Sequence, residues 1–416
     1  MDKRMVRIKD SLISMSGVVT AQLLLFVSIV LLGRERGPEI LGQFNGSVAL
    51  GTLAGTLLAL RYELACLSDR SEVSFQSLVH VLALGAAVAT AVAAILLAYG
   101  RYHLLLVELY AFATFIFNLA AAYLNSLKRY GLIAVARIAV NAGLLMCVAS
   151  PLRGWLKVEP FFAYAIVNTV MGLLALTATL YNGRSKGYRV AFDPKFYSVN
   201  RRFAAYILPA TVFGSVMTYA LAIAVPSWYG AEEAGYFALA FRLGFSPVSL
   251  VGQSIGGVFR RDALGAVRAN SDGNELVQVY RTYARGLIAV SLGYAFLAFV
   301  FFDPIVALFL GAKWKGATPF FYFLIPLFCV QILYVPLSQV FLTVRKQKLD
   351  FSFQLWSGSV LIATLYATHV LNLSAVVSVA TFSFAGAIVT AWGVTVTARA
   401  ASPRTSGYRA VLDCLT

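Results

Sequence analysis

Charge is what this chain has least of. Only 12% of its 416 residues are Asp, Glu, Lys or Arg, against about 25% in an average soluble domain. Acids are scarcest, at 18, so clustered carboxylates for metal binding or acid-base work have little to draw on. Three histidines (His80, His103, His369) stand far apart near the ends of apolar runs, which suits packed or interfacial side chains better than a catalytic group. No phosphate-cradling glycine loop is present. The four cysteines, Cys66, Cys147, Cys329 and Cys414, show no paired metal spacing, so neither zinc nor a disulfide framework is expected. Long hydrophilic stretches are missing too, which excludes an extramembrane folded module.

What is there is apolar length. Sixty per cent of the residues are hydrophobic, more surface than a soluble fold of this size could cover. Runs of about 20 apolar residues recur, each able to cross a hydrocarbon core of about 30 Å. Twelve spans are predicted, near 11–33, 41–67, 76–99, 103–125, 131–150, 160–182, 205–228, 234–259, 283–302, 319–343, 351–370 and 376–397. The first is too long for a signal-peptide core and has no small-residue cleavage site, so it is expected to stay attached. The net charge of +16 is spread over short loops instead of one soluble face, which argues against nucleic acid. Twenty-four basic residues fall on one side of the map and seven on the other, placing both termini in the cytosol by the positive-inside rule.

A basic stretch divides six spans from six. The expected organisation is an N-terminal lobe over 1–182, a cytosolic linker over 183–204, a C-terminal lobe over 205–397 and a cytosolic tail over 398–416. The basic loops near 183–204 and 260–282 are expected to meet anionic headgroups of the lipid bilayer. Six is even, so duplicated halves would be parallel repeats. Gly37-Pro38-Glu39-Ile40-Leu41-Gly42-Gln43-Phe44 follows span one, and Gly230-Ala231-Glu232-Glu233-Ala234-Gly235-Tyr236-Phe237 follows span seven. Both read G-x-E-x-x-G-x-F: a glycine for the turn, an acid for the helix N-terminus and an aromatic suited to an interface. Chance likeness between two short turns is the alternative.

Charges inside the spans carry the functional argument, because an arginine at membrane depth costs several kcal/mol unless water, a partner or cargo meets it. Arg242 lies eight residues into span eight, about 12 Å deep at 1.5 Å per residue. Arg61 stands in Arg61-Tyr62-Glu63, where the glutamate could partly compensate it, and Arg137 lies about two turns from the inner face, within reach of snorkelling. The span acids are few, Glu63 and Glu108, so the balance favours an anionic cargo such as a pyrophosphate, which accepts the fork of a guanidinium. Amides such as Asn118 and Gln253 could line a sugar path or join helices. Pro209, Pro247, Gly252 and Gly256 are candidate hinges, with packing as the competing role for the glycines.

These residues resemble the Wzx-type polysaccharide (O-antigen/exopolysaccharide) flippases of the multidrug/oligosaccharidyl-lipid/polysaccharide exporter superfamily. The likeness covers most of the chain and is densest in Arg61-Tyr62-Glu63-Leu64-Ala65, Leu208-Pro209-Ala210, Ala234-Gly235-Tyr236-Phe237-Ala238-Leu239-Ala240-Phe241-Arg242-Leu243, Pro247-Val248-Ser249-Leu250-Val251-Gly252 and Val258-Phe259. It implies an all-α polytopic membrane protein, with twelve transmembrane helices in two six-helix lobes forming a V around a central cavity. The implied cargo is an oligosaccharide on undecaprenyl diphosphate, moved from the cytosolic to the periplasmic leaflet of the bacterial inner membrane by alternating access. Arg61 and Arg242 match the family's pattern as lumen cations, and Arg137 less closely. No cofactor is implied, a proton or sodium gradient is the candidate driving force, and glycan polymerase or assembly proteins are candidate partners. The rivals are a multidrug cation antiporter of the same superfamily, which should hold lumen acids, a membrane-embedded glycan polymerase, which should present a sizeable outward loop, and a non-transporting scaffold.

Overall fold

The computed structural model describes residues 3–68, 70–149, 159–188, 192–269 and 274–402, with side chains from Ser16 onward apart from Val18, Gln253 and 268–269. Cys414, most of the expected tail and most of the outward loop near 151–159 lie outside the described residues. Every long element among the described residues is a helix: α1 (Lys3–Leu58), α2 (Ser71–Ala98), α3 (Tyr102–Ser126), α4 (Tyr130–Ala149), α5 (Pro160–Ser185), the short α6 (Phe196–Val199), α7 (Leu208–Tyr229), α8 (Ala231–Ala269), α9 (Asn274–Phe309), α10 (Ala317–Leu337), the short α11 (Val340–Thr343), α12 (Gln347–Val370) and α13 (Ala375–Ala401). Nine helices among the described residues are long and apolar enough to cross a membrane. The expected spans one and two fall in the two halves of α1, and span eleven falls in α12.

Local chemistry sets the breaks. Gly37, at φ 84°, interrupts α1, and Pro38 restarts it with a missing N–H that costs nothing in a first turn. Gly230, at φ 94°, turns the chain from α7 into α8. An added Cβ at either glycine would meet no atom within 4 Å, so it is the left-handed backbone, not crowding, that calls for glycine. The two G-x-E-x-x-G-x-F motifs therefore share a positive φ at the first glycine as well as a spelling. Their aromatics are not interfacial anchors, however. Phe44 and Phe237 are buried, Phe44 beside Phe161 and Tyr164, Phe237 beside Phe241 and Phe320. Seven residues beyond the turn glycine is about two helical turns, enough to carry the ring off the helix end into its unit's core.

The chain forms two compact units, Met1–Pro209 and Ala210–Thr416, with the division along the chain falling in the first turn of α7. In the first unit, Phe75, Phe115, Ile116 and Tyr123 of α2 and α3 gather with Tyr62 and Cys66 in one core. The basic segment after α5 belongs to this unit: from Phe192 onward it lies on α2, and a π-helical turn, Phe203–Ile207, leads into α7. The second unit is centred on Trp314, Phe320, Phe328, Phe341 and Phe382, all nearly inaccessible. Lipid gives apolar helices no solvent-driven reason to associate, so close packing of such rings holds each unit together.

Candidate functional site

α1 ends before the span predicted from hydropathy does. Its last residue is Leu58, and Leu60 and Arg61 follow in left-handed backbone at φ 45° and 63°. Two successive non-glycine residues in that region cost about 1–3 kcal/mol each and persist only where surrounding packing holds them. Tyr62–Cys66 then forms a 3₁₀ turn over the core, with Tyr62 and Cys66 buried. Ser74 donates its hydroxyl to the Cys66 carbonyl and is hydrogen bonded to Ser126 Oγ, tying the turn to α2 and α3. This setting swings the Arg61 side chain out of the helix ladder. The negative end of α1 favours a cation there.

Arg61 Nη1 donates to Glu63 Oε1 at 2.7 Å, and the two side chains are 24% and 12% exposed. The ion pair uses one edge of each group. Arg61 Nε and Glu63 Oε2 are buried with no hydrogen-bond partner. A guanidinium paired through Nη1 and still partly exposed can receive an oxyanion on its remaining accessible edge without losing its compensating acid. Glu108 presents a second unsatisfied carboxylate oxygen on α3.

Behind Arg61, Tyr62 joins the site to the basic segment. Its ring meets Phe196, Tyr197 and Phe203 at 6.2, 5.6 and 6.5 Å, and its hydroxyl donates to the Tyr197 carbonyl at 3.4 Å. Tyr197 donates its own hydroxyl to the His80 carbonyl at 3.0 Å. His80 is buried and stacked by Phe192 and Phe196, at 4.8 and 4.6 Å. The lone histidine, expected to be interfacial or packed, is thus the anchor of the segment after α5. The nearest sequence signal was Phe192 and Phe196 bracketing Asp193 within a basic stretch.

The remaining candidates in the first unit do not join Arg61. Arg137 is exposed on α4, where its carbonyl accepts from Asn141 Nδ2 at 3.3 Å, and α4 meets the first half of α1 where Ala134 crowds Gly17. Asn118 is exposed on α3, and Pro209 closes the unit in the first turn of α7.

The second unit holds Arg242, half-buried and eleven residues beyond Ala231 on α8, or about 16 Å along the helix. Its neighbour Phe241 stacks on Phe245 at 5.2 Å and meets Phe328 at 5.6 Å, which fixes that face of α8. Pro247 has no N–H for the Leu243 carbonyl, and Ser246 Oγ donates to the Arg242 carbonyl at 2.7 Å. Relaxed backbone bonding therefore follows Arg242 directly. Gly252 faces Val335 closely, whereas Gly256 has ordinary contacts with Pro336 and Gln339. Gln253 lies on α8, its side chain outside the described residues.

Comparison with known proteins adds a family match over part of the chain and a fold. Residues 161–319, from α5 into α10, match the model of a polysaccharide biosynthesis protein family (Polysacc_synt_3). That stretch includes the second G-x-E-x-x-G-x-F motif, Arg242 and Pro247, while Arg61 lies outside it. No curated sequence matches significantly. Among solved structures, the lipid II flippase MurJ in an inward closed conformation aligns with a TM-score of 0.74 at 14% identity, over 93% of this chain and 87% of that one. The chain thus shares the fold of this flippase over most of its length, and its segment 161–319 resembles a polysaccharide biosynthesis family. Its other structural neighbours include an inward-facing multidrug resistance MATE transporter of the MOP superfamily, with a TM-score of 0.66, 13% identity and 95% of each chain covered. The MATE multidrug transporter DinF-BH aligns at a TM-score of 0.62, with 15% identity and 96% of each chain covered. The likeness is one of fold: nine helices among the described residues are long and apolar enough to cross a membrane, and the motif glycines, Arg61 and Arg242 lie on an architecture that these flippase and exporter structures share.

Proposed function

We propose that the protein is a flippase that moves an oligosaccharide on undecaprenyl diphosphate from the cytosolic to the periplasmic leaflet of the inner membrane, with both termini cytosolic, for surface polysaccharide synthesis. It acts as a carrier, not an enzyme. The observation that carries this reading is Arg61: a cation at membrane depth, in a left-handed turn, tied to Glu63 by one nitrogen and leaving a second donor unsatisfied. Arg242 supplies a second cation in the other unit, and the polysaccharide-biosynthesis segment surrounds it. Arg61 and Arg242 attract the pyrophosphate, the polyprenyl tail stays in lipid, and differential binding biases alternating access. A proton or sodium gradient drives the cycle, and glycan polymerase or assembly proteins receive the product.

The test is delivery of the lipid-linked glycan in a deletion strain carrying single variants. Arg61→Ala and Arg242→Ala should each cut delivery at least tenfold with normal protein levels, and precursor should accumulate on the cytosolic face. Wild-type delivery by both variants would end the reading. The MATE neighbours keep a multidrug antiporter as the second reading, and drug resistance on expression without precursor accumulation in the deletion strain would favour it.

A further inference from the structure

The chain between α5 and α7 is tied to α2 at two heights. Tyr188 OH and Ser71 Oγ, at the first residue of α2, are 2.6 Å apart. The Asp193 N–H and the Tyr197 hydroxyl both bond to His80, nine residues or about 13 Å further along the helix. His80 is four residues, about 6 Å, inside the span predicted for 76–99. Residues 192–206 therefore lie beside α2 at the membrane boundary where that helix begins, not clear of it. One face of this segment is taken, because Phe196, Tyr197, Phe203 and Ala204 pack on the core of the first unit.

The other face carries two kinds of side chain. Phe192, Val199 and Tyr206 are 62%, 74% and 63% exposed, and Val199 and Tyr206 stand about two helical turns apart. Lys195, Arg201 and Arg202 are exposed among them. Asp193, the one acid within 192–206, is engaged locally, its Oδ1 accepting from the Lys195 N–H at 2.9 Å. Water gains nothing from large apolar groups on one face, and bare hydrocarbon would strand three cations. A bilayer surface serves both, with the rings and the valine in the acyl boundary and the cationic heads among anionic phosphates. Lysine and arginine stems let the charges stay at headgroup level while the backbone lies lower. The depth of His80 matches the roughly 5–10 Å to which an interfacial helix sinks.

We propose that residues 192–206 dock on the bilayer surface as an interfacial element selective for anionic phospholipid, in the leaflet where α2 begins. Charge alone predicts headgroup contact for the whole stretch 183–204, whereas the structure assigns it to one face and one depth. Phe196 and Tyr197, which back the exposed face, also meet the Tyr62 ring, so the docked element stands one side chain away from the Arg61 turn. The surface is independent of the cargo, and its failure would leave the flippase reading standing.

The test places a fluorophore on the exposed face of the full-length protein. Val199→Cys is labelled with bimane in a background of Cys147→Ser, Cys329→Ser and Cys414→Ser, Cys66 being fully inaccessible. Monodisperse protein is reconstituted in vesicles of phosphatidylcholine alone or with about one-third phosphatidylglycerol. In the anionic vesicles, lipid bearing a nitroxide high on its acyl chain should quench the label, and iodide in the aqueous phase should not. Tyr206→Cys, inside the span predicted for 205–228, calibrates the lipid response. Phosphatidylglycerol should raise the ratio of lipid to iodide quenching at Val199→Cys about threefold or more, an increase that high salt suppresses. Lys195→Gln, Arg201→Gln and Arg202→Gln combined should remove that increase. Iodide quenching in both lipids would overturn the proposal, since the face then borders an aqueous space. Quenching by neither agent would also overturn it, since protein then covers the face. Lipid quenching that ignores phosphatidylglycerol, or an increase that survives the triple variant, would remove the assigned selectivity and sink it equally.

Discussion

His80 and Asp193, 113 residues apart, are joined by a 2.8 Å hydrogen bond from the Asp193 backbone N–H to the imidazole Nε2. Because Nε2 accepts, Nδ1 carries the proton and donates it to the Gln76 carbonyl at 2.8 Å. The imidazole thus pins a loop to a helix through both nitrogens, and that loop continues through Tyr197 to the back of Tyr62, next to Arg61.

Replacing His80 should therefore loosen the segment 192–203 selectively. His80→Phe keeps the aromatic sandwich and removes the acceptor, stranding the Asp193 N–H at a cost of about 1–3 kcal/mol. His80→Ala removes both and should do more. Hydrogen exchange of the amides from Phe192 to Phe203 should rise in that order, while the amides of α10 and α13 stay at wild-type rates. Equal protection in all three proteins would mean that the loop is held by something other than His80.

Arg61 and Glu63 separate a structural role from a transport role in one cycle. Removing Arg61 leaves the more buried partner uncompensated, so Arg61→Met should cost about 1–3 kcal/mol of stability, somewhat below the loss typical of a fully buried pair. Glu63→Met should cost less, since Arg61 has more access to surroundings. The double variant should recover most of that loss, as neither charge remains. Thermal unfolding checks the recovery. On the flippase proposal, glycan delivery should stay lost in the double variant, because the cation proposed to meet the pyrophosphate is gone.

Much of this was readable without coordinates, and the rest was not for definite reasons. Hydropathy located the helices because lipid demands long apolar runs whatever the neighbours are. The Arg61–Glu63 pairing followed from a spacing of two. That Arg61 sits beyond the end of its helix did not follow, since Leu60 and Arg61 carry no glycine or asparagine to announce left-handed backbone, and tertiary packing of Tyr62 and Cys66 imposes it. Phe44 and Phe237 were legible as a repeat but not as core, because an aromatic near a span end looks the same whether it faces headgroups or a neighbouring helix. The docking of Asp193 on His80 depends on residues far apart in the chain, which no local pattern records.

Gly37 and Gly230 should respond alike. Alanine at either must adopt a positive φ, at a cost of about 1 kcal/mol or more despite open space around its Cβ, and at Gly37, whose ψ of 179° lies in a region that only glycine populates, asparagine should do no better. Unfolding midpoints of the two alanine variants should fall alike. A large loss at one glycine with none at the other would break the equivalence of the two motifs.

Gly252 and Gly256, one turn apart on α8, should part company. A methyl at Gly252 would approach Val335 Cγ1 at 2.6 Å, and a β-branched side chain has few rotamers into which to retreat. Gly252→Ala should therefore force α8 and α10 apart and cost about 1–3 kcal/mol, the usual range for overpacking. At Gly256 the nearest atoms lie at 3.6 and 3.7 Å, ordinary contact, so alanine should be neutral or slightly stabilising through its better helix propensity. If α8 flexes at Gly256 during transport, Gly256→Ala will lower glycan delivery at full stability. If the bending is confined to Pro247, delivery will be unchanged, and Pro247→Ala, which returns an N–H to the Leu243 carbonyl, will be the variant that raises the unfolding midpoint while slowing the carrier.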